Sequence, residues 1–184
     1  MLNKKIVAAG VALLLAQASS FAADSVFGAD SVSGEFATGN KTKMARAGLQ
    51  WNWDKQWFKS NGTHLGGYWD ATVAQWQGDA YQGVSGSKQN ITDLGFTPVF
   101  RFEADNKKGF YSEAAIGFHL FSQVYDNNGR KFSTAFQFGD HIGVGYVFDG
   151  GWDLGFKVQH FSNGAIKKPN PGVNFAVLKL AHSF

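Results

Sequence analysis

His160 and Ser162 stand two residues apart at the end of the segment Trp152 to Ser162, in which Trp152, Leu154, Phe156 and Val158 make every second residue apolar. On an extended chain both would project from one face, roughly 6.5 to 7 Å apart at about 3.3 Å per residue. A serine hydroxyl is a weak nucleophile until a neighbouring base takes its proton, and imidazole is suited to that task. The pair could therefore hydrolyse an ester through an acyl-enzyme. A plainer reading is that the two polar residues mark where an apolar stripe meets water. If the stripe faces a membrane, ionisable groups on it are costly and become functional candidates.

A nucleophile and base need an orienting partner and donors for the oxyanion. Asn174 shares even parity with Ala176, Leu178 and Leu180 in the last apolar register, so it should face the same side as His160 and Ser162. Its amide oxygen can accept the imidazole N–H and fix the tautomer, as asparagine does in Cys-His-Asn proteases. Asp140 is a second orienting candidate. A hairpin turning about Gly150 pairs residues whose numbers sum to about 300, which sets Asp140 opposite His160; alternatively it caps the apolar band or meets a loop lysine. His141, of opposite parity, should point inward. For the oxyanion, the candidates are the backbone of Asn163, Gly164 and Ala165 and the side chain of Asn170, which could equally be an ordinary Pro-Asn-Pro turn residue. There is no Cys, and no set of His and carboxylate side chains reads as a metal site, so neither metal nor cofactor is expected.

The elements that would hold these residues are strands. Of 184 residues 44% are hydrophobic, yet mean hydropathy is -0.20 and no apolar run approaches the ~18 residues of a spanning helix. Eighteen Phe, 6 Trp and 5 Tyr against 23 Gly and 3 Pro favour strands and tight turns. At the N-terminus Lys4 and Lys5 precede the apolar stretch Ile6 to Ala16 and the small-residue approach Ser19-Ser20-Phe21-Ala22. Residues 1–22 thus read as a secretory signal peptide, and 23–184 as one exported domain. The 17 basic residues less Lys4 and Lys5 leave 15 against 14 acidic, a net charge of about +1. The basic patch a nucleic-acid-binding protein needs is missing.

Sorted by parity, the exported part resolves into segments with one apolar register each. These are Ala47 to Trp53, Leu65 to Val73, Leu94 to Phe102, Phe110 to Leu120, Phe136 to Phe148, Trp152 to Val158 and Ala176 to Phe184. A weaker Gly-rich stretch at about 25–37 makes eight. The opposite registers carry Asp70, Arg101, Glu103, Glu113 and Lys157. Eight such strands predict an all-β, eight-stranded antiparallel up-and-down transmembrane β-barrel, lipid outside and a polar interior. A lipocalin-like soluble barrel would invert the two faces. A final strand ending in Phe184, with apolar residues at alternate positions before it, is similar to the C-terminal pattern of bacterial outer-membrane barrels. Short connections at 105–108 and 149–151 alternate with long ones at about 77–90, 122–134 and 163–172, so the long loops and the His160 end of the barrel should lie outside the cell. The stretch 54–62 is longer than a periplasmic turn should be.

His160-Phe161-Ser162-Asn163-Gly164 followed by Pro169-Asn170-Pro171-Gly172, with Phe136 to Gly143 upstream, resembles the lipid A 3-O-deacylase (PagL) family. The resemblance implies an outer-membrane serine esterase, with His160 as general base and Ser162 as nucleophile, that removes the acyl chain ester-linked at position 3 of lipid A. It departs at one point: the family carries an acid where this chain has Asn174, which implies slower turnover. The order His, Ser, Asn also resembles outer-membrane phospholipase A, whose twelve-stranded barrel needs a longer chain. Lys167 and Lys168, with Arg130, Lys131, Lys41 and Lys43 in the other long loops, could meet the lipid A phosphates or simply be solvated. The partners expected are lipopolysaccharide and the bacterial outer membrane, not nucleic acid, with a homodimer left open. The competing classes are a non-enzymatic structural or adhesin-like barrel and a phospholipid esterase using the same residues.

Overall fold

The computed structural model describes residues 26–184; the expected signal peptide lies outside them. After a 3₁₀ turn at Val26–Gly28 come eleven strands: β1 (Ser31–Gly39), β2 (Thr42–Asn52), β3 (Trp57–Ser60), β4 (Thr63–Gly78), β5 (Gln89–Ala104), β6 (Gly109–Phe121), β7 (Asp126–Asn127), β8 (Arg130–Lys131), β9 (Phe136–Val147), β10 (Trp152–Ser162) and β11 (Val173–Ser183). In the main sheet the order is β2-β1-β11-β10-β9-β6-β5-β4-β3, and β2 also pairs with β4. That last pairing closes eight strands into an antiparallel barrel and leaves β3 as a flap on the lower end of β4. Closure leaves no barrel strand with a free edge.

Parity decides which side chains face which way. Leu94, Phe96, Phe100, Phe102, Ile116, Phe118, Ile142, Val144, Phe156, Val158 and Leu178 are all exposed, Ile142 at 70%. Such a continuous apolar wall suits lipid rather than water. The other register points into a packed interior. There Arg46 and Lys157 flank Glu35 at 2.9 and 2.7 Å, and Arg101 bridges Glu113 at 2.8 Å and Asp153 at 3.2 Å, all of them buried. Buried charges are tolerable only when paired in this way. The inverted, soluble-barrel alternative is thereby excluded.

Three features differ from the sequence reading. The first strand spans Ser31–Gly39 rather than 25–37, and it meets β2 through a two-residue turn in which Asn40 and Lys41 both have positive φ. Lys43 therefore sits on β2, not in a long loop. The stretch 54–62 is long because β3 folds back onto β4 through an Asn61-Gly62 turn, again with positive φ at both residues. Finally, the loop end of the interior is apolar: Trp76, Phe121, Tyr125, Phe132, Phe161 and Phe175 form a buried aromatic plug above the ionic layers.

Candidate active site

β10 presents the site, and its two neighbours complete it. The β9–β10 turn is tight because Gly150 and Gly151 supply positive φ (88° and 81°), a conformation other residues resist. The register that follows pairs Asp153 with Val147 and sets Asp140 opposite His160, as the Gly150-centred hairpin predicted. On the other side His160 pairs with Asn174 of β11. One outward row thus reads Asp140, His160, Asn174 across three strands, with Ser162 one step nearer the loops. Between His160 and Ser162, Phe161 points inward and is fully buried; its ring lies 4.8 Å from Trp76, 5.9 Å from Phe175 and 4.9 Å from His119. The plug therefore anchors the strand between His160 and Ser162.

His160 Nδ1–H donates to Asn174 Oδ1 at 2.5 Å. In a neutral imidazole this bond selects the Nδ1–H tautomer, whose Nε2 can accept. Asn174 is the one side-chain hydrogen-bond partner of His160 among the described residues, so the bond from Ser162 to Nε2 is not made in this conformation. Catalytic bonds of this kind are often long or unmade without substrate and tighten when it binds. Asp140 is partly exposed and forms no ion pair among the described residues, so its carboxylate flanks His160 without neutralisation.

The loop 163–172 is built around Asn163, which is fully buried. Its side-chain N–H₂ donates to Lys167 O (2.8 Å), Ser133 Oγ (3.0 Å) and Thr134 Oγ1 (3.2 Å), and its backbone N–H donates to Asn170 Oδ1 (3.0 Å). The Asn163 N–H is thus committed to the loop. Gly164 and Ala165 follow with φ of 62° and 64°, and neither backbone N–H has a backbone acceptor among the described residues. The Asn170 amide, its oxygen held by Asn163, keeps its N–H₂ free to donate. Phe138, the cross-strand partner of Ser162, lies against Gly164 and joins Phe136 and Phe118 in an aromatic shelf on the lipid side.

The charged candidates separate. Lys167 and Lys168 are exposed on the loop, and Lys131 and Lys168 border an open cleft of about 440 Å³ that Asn170 and Ala165 also line. Arg130 instead donates to Pro171 O and Gly172 O. His141 points inward, 3.5 Å from Glu113. Sequence reasoning missed the hairpin β7–β8 that carries Arg130, although its turn, Asn128-Gly129, is the strongest short-range hairpin signal. It also missed Phe138, whose place beside Ser162 follows from the same 300 sum that located Asp140.

The family model described as lipid A 3-O-deacylase (PagL) matches residues 43–183. The Pseudomonas aeruginosa protein named lipid A deacylase PagL is 37% identical over 164 residues, 87% of this chain and 89% of that relative. A protein of the same name from Bordetella bronchiseptica is 35% identical over 109 residues, 58% of this chain and 60% of that one. A crystal structure titled as the outer membrane enzyme PagL superposes with a TM-score of 0.72 at 29% identity, covering 84% of this chain and 99% of that structure. With the barrel, the outward row on β9 to β11 and a match over most of its length, this chain belongs to the lipid A 3-O-deacylase (PagL) family.

Proposed function

We propose that this protein is an outer-membrane serine esterase that removes the acyl chain ester-linked at position 3 of lipid A. The observation that carries the assignment of roles is the Nδ1–H bond from His160 to Asn174, on the same lipid-facing wall as Ser162. As Ser162 Oγ attacks the ester carbonyl, His160 Nε2 takes its proton. The tetrahedral intermediate collapses with cleavage of the bond to the sugar oxygen, which receives that proton from His160. Water, deprotonated by the same imidazole, then releases the fatty acid from Ser162.

The negative charge on the carbonyl oxygen needs donors already in place. The N–H groups of Gly164 and Ala165 and the side-chain N–H₂ of Asn170 fill that role in this reading, while Asn163 frames the loop. The acyl chain lies along the wall beside Phe138 and never enters the barrel, whose interior is filled. The sugar phosphates lie toward Lys167 and Lys168. Asp140 supplies the negative charge that Asn174 lacks and stabilises the imidazolium. Residues 1–22 direct export as a cleaved leader.

The test is to produce the protein in a Gram-negative host that lacks such an activity and to weigh its lipid A. Loss of one 3-hydroxyacyl chain supports the reading. Intact lipid A with deacylated phospholipid would move the activity to phospholipid, and no change in either lipid would favour a structural barrel.

A further inference from the structure

Arg130 sits in the hairpin β7–β8, far from the site in sequence, yet its Nη1 donates to two consecutive carbonyls, Pro171 O at 2.6 Å and Gly172 O at 3.0 Å. Gly172 in turn touches the base. The last β10–β11 pair is Phe161 with Val173, so Gly172 continues the ladder to the position opposite Ser162. It is buried with φ +63°, and a Cβ built there would overlap His160 Cε1 and come within 2.9 Å of Nε2. The space a side chain would fill is occupied by the imidazole edge that has to reach Ser162.

The hairpin is itself fastened to the barrel. Asn127 is fully buried; its Oδ1 accepts from the Ala80 N–H at 2.7 Å, and its Nδ2 donates to Asn40 O at 2.8 Å and Thr42 Oγ1 at 3.1 Å. Gln89 accepts from the Asp126 N–H and donates to Val124 O, both at 2.9 Å. The β1–β2 and β4–β5 connections are therefore tied through this hairpin to the Gly172 backbone.

From this we infer that Arg130 is a positioning residue. Its guanidinium sets the Pro171-Gly172 peptide, and that peptide sets the place of the His160 ring relative to Ser162. The inference rests on the hydrolase reading above. A rival role for Arg130, binding a substrate phosphate, makes opposite predictions.

The test compares Arg130→Ala, Arg130→Lys and Gly172→Ala on two substrates, lipid A and a p-nitrophenyl acyl ester that has no phosphate, with barrel folding checked by heat-shifted gel mobility. Misplacing a base by about an ångström can cost on the order of 100-fold. Arg130→Ala should lower kcat roughly 10- to 100-fold on both esters with KM little changed. Arg130→Lys, which keeps a donor for the carbonyls, should recover part of the rate, and Gly172→Ala should reproduce the loss on both. A loss confined to lipid A and expressed in KM would overturn the inference, as would unchanged kcat in folded Arg130→Ala. A second measurement needs no turnover: the His160 Nδ1 proton resonance, shifted downfield by its bond to Asn174, should weaken in Arg130→Ala. An unaltered resonance would also overturn the inference, whatever ester the protein cleaves.

Discussion

His160 and Asn174 face each other directly across the β10–β11 ladder, and the imidazole Nδ1–H reaches the Asn174 amide oxygen at 2.5 Å. An amide can hold the tautomer as a carboxylate does, but it offers no charge to the imidazolium. Hydrogen bonds to charged partners exceed neutral ones by about 1 kcal/mol. Asn174→Asp should therefore raise kcat up to roughly tenfold, since 1.36 kcal/mol is a factor of ten. Asn174→Ala removes the orienting bond and should lower kcat on the order of 10- to 100-fold. Steady-state rates with a soluble ester check both, and a large loss in Asn174→Asp would remove position 174 from the role of orienting His160.

Asp140, on the opposite flank of His160, provides a linked prediction. Directly opposed residues on adjacent strands place their Cβ atoms about 5 Å apart, close enough for a carboxylate to stabilise an imidazolium. Asp140→Asn should cost about tenfold in kcat, equivalent to about 1.4 kcal/mol. In the Asn174→Asp background the same change should cost much less, because the charge is then supplied from the other side. The double-mutant cycle measures this coupling directly. Equal costs in the two backgrounds would mean that the two residues do not share one function.

Much of this arrangement was legible before any coordinates. Parity separated Phe96, Phe118, Val158 and Leu178 from Arg101, Glu113 and Lys157, because successive side chains of a strand point to opposite faces, and the C-terminal pattern ending in Phe184 then favoured the apolar set as the wall. The pairing of Asp140 with His160 was legible because a short glycine-containing connection favours a tight turn, and centring it on Gly150 gives this register. The weak first strand slipped because Ser31, Ser33, Gly34 and Ala37 are too small to write an apolar register. Arg130 was read as loop charge, solvated or facing the lipid A phosphates, since bonds to the carbonyls of Pro171 and Gly172 leave no pattern in side-chain types. The aromatic plug was unseen for a different reason: Trp76 and Phe161 end registers that are largely polar, Asp70 and Thr72 before the one and Asp153, Lys157 and Gln159 before the other, and only the loop end of the barrel is closed by apolar packing.

That plug links stability to the site. Phe161 is enclosed by Trp76, Phe121, Phe175 and His119, and replacing a buried Phe by Ala typically costs about 3–5 kcal/mol. Phe161→Ala should lower the unfolding free energy by about 3 kcal/mol in denaturant titrations of the refolded barrel. It should also reduce turnover at temperatures where the barrel is intact, because the strand between His160 and Ser162 loses its anchor. Full activity in that variant would show that the plug serves stability alone.

The central claim is that Ser162 is the nucleophile of a lipid A deacylase, and it is tested most directly by the mass of lipid A from cells producing the wild type or Ser162→Ala at equal levels of folded barrel. The wild type should yield lipid A lighter by one 3-hydroxyacyl chain, and Ser162→Ala should leave it at full mass. Deacylated lipid A from cells producing Ser162→Ala would contradict the account.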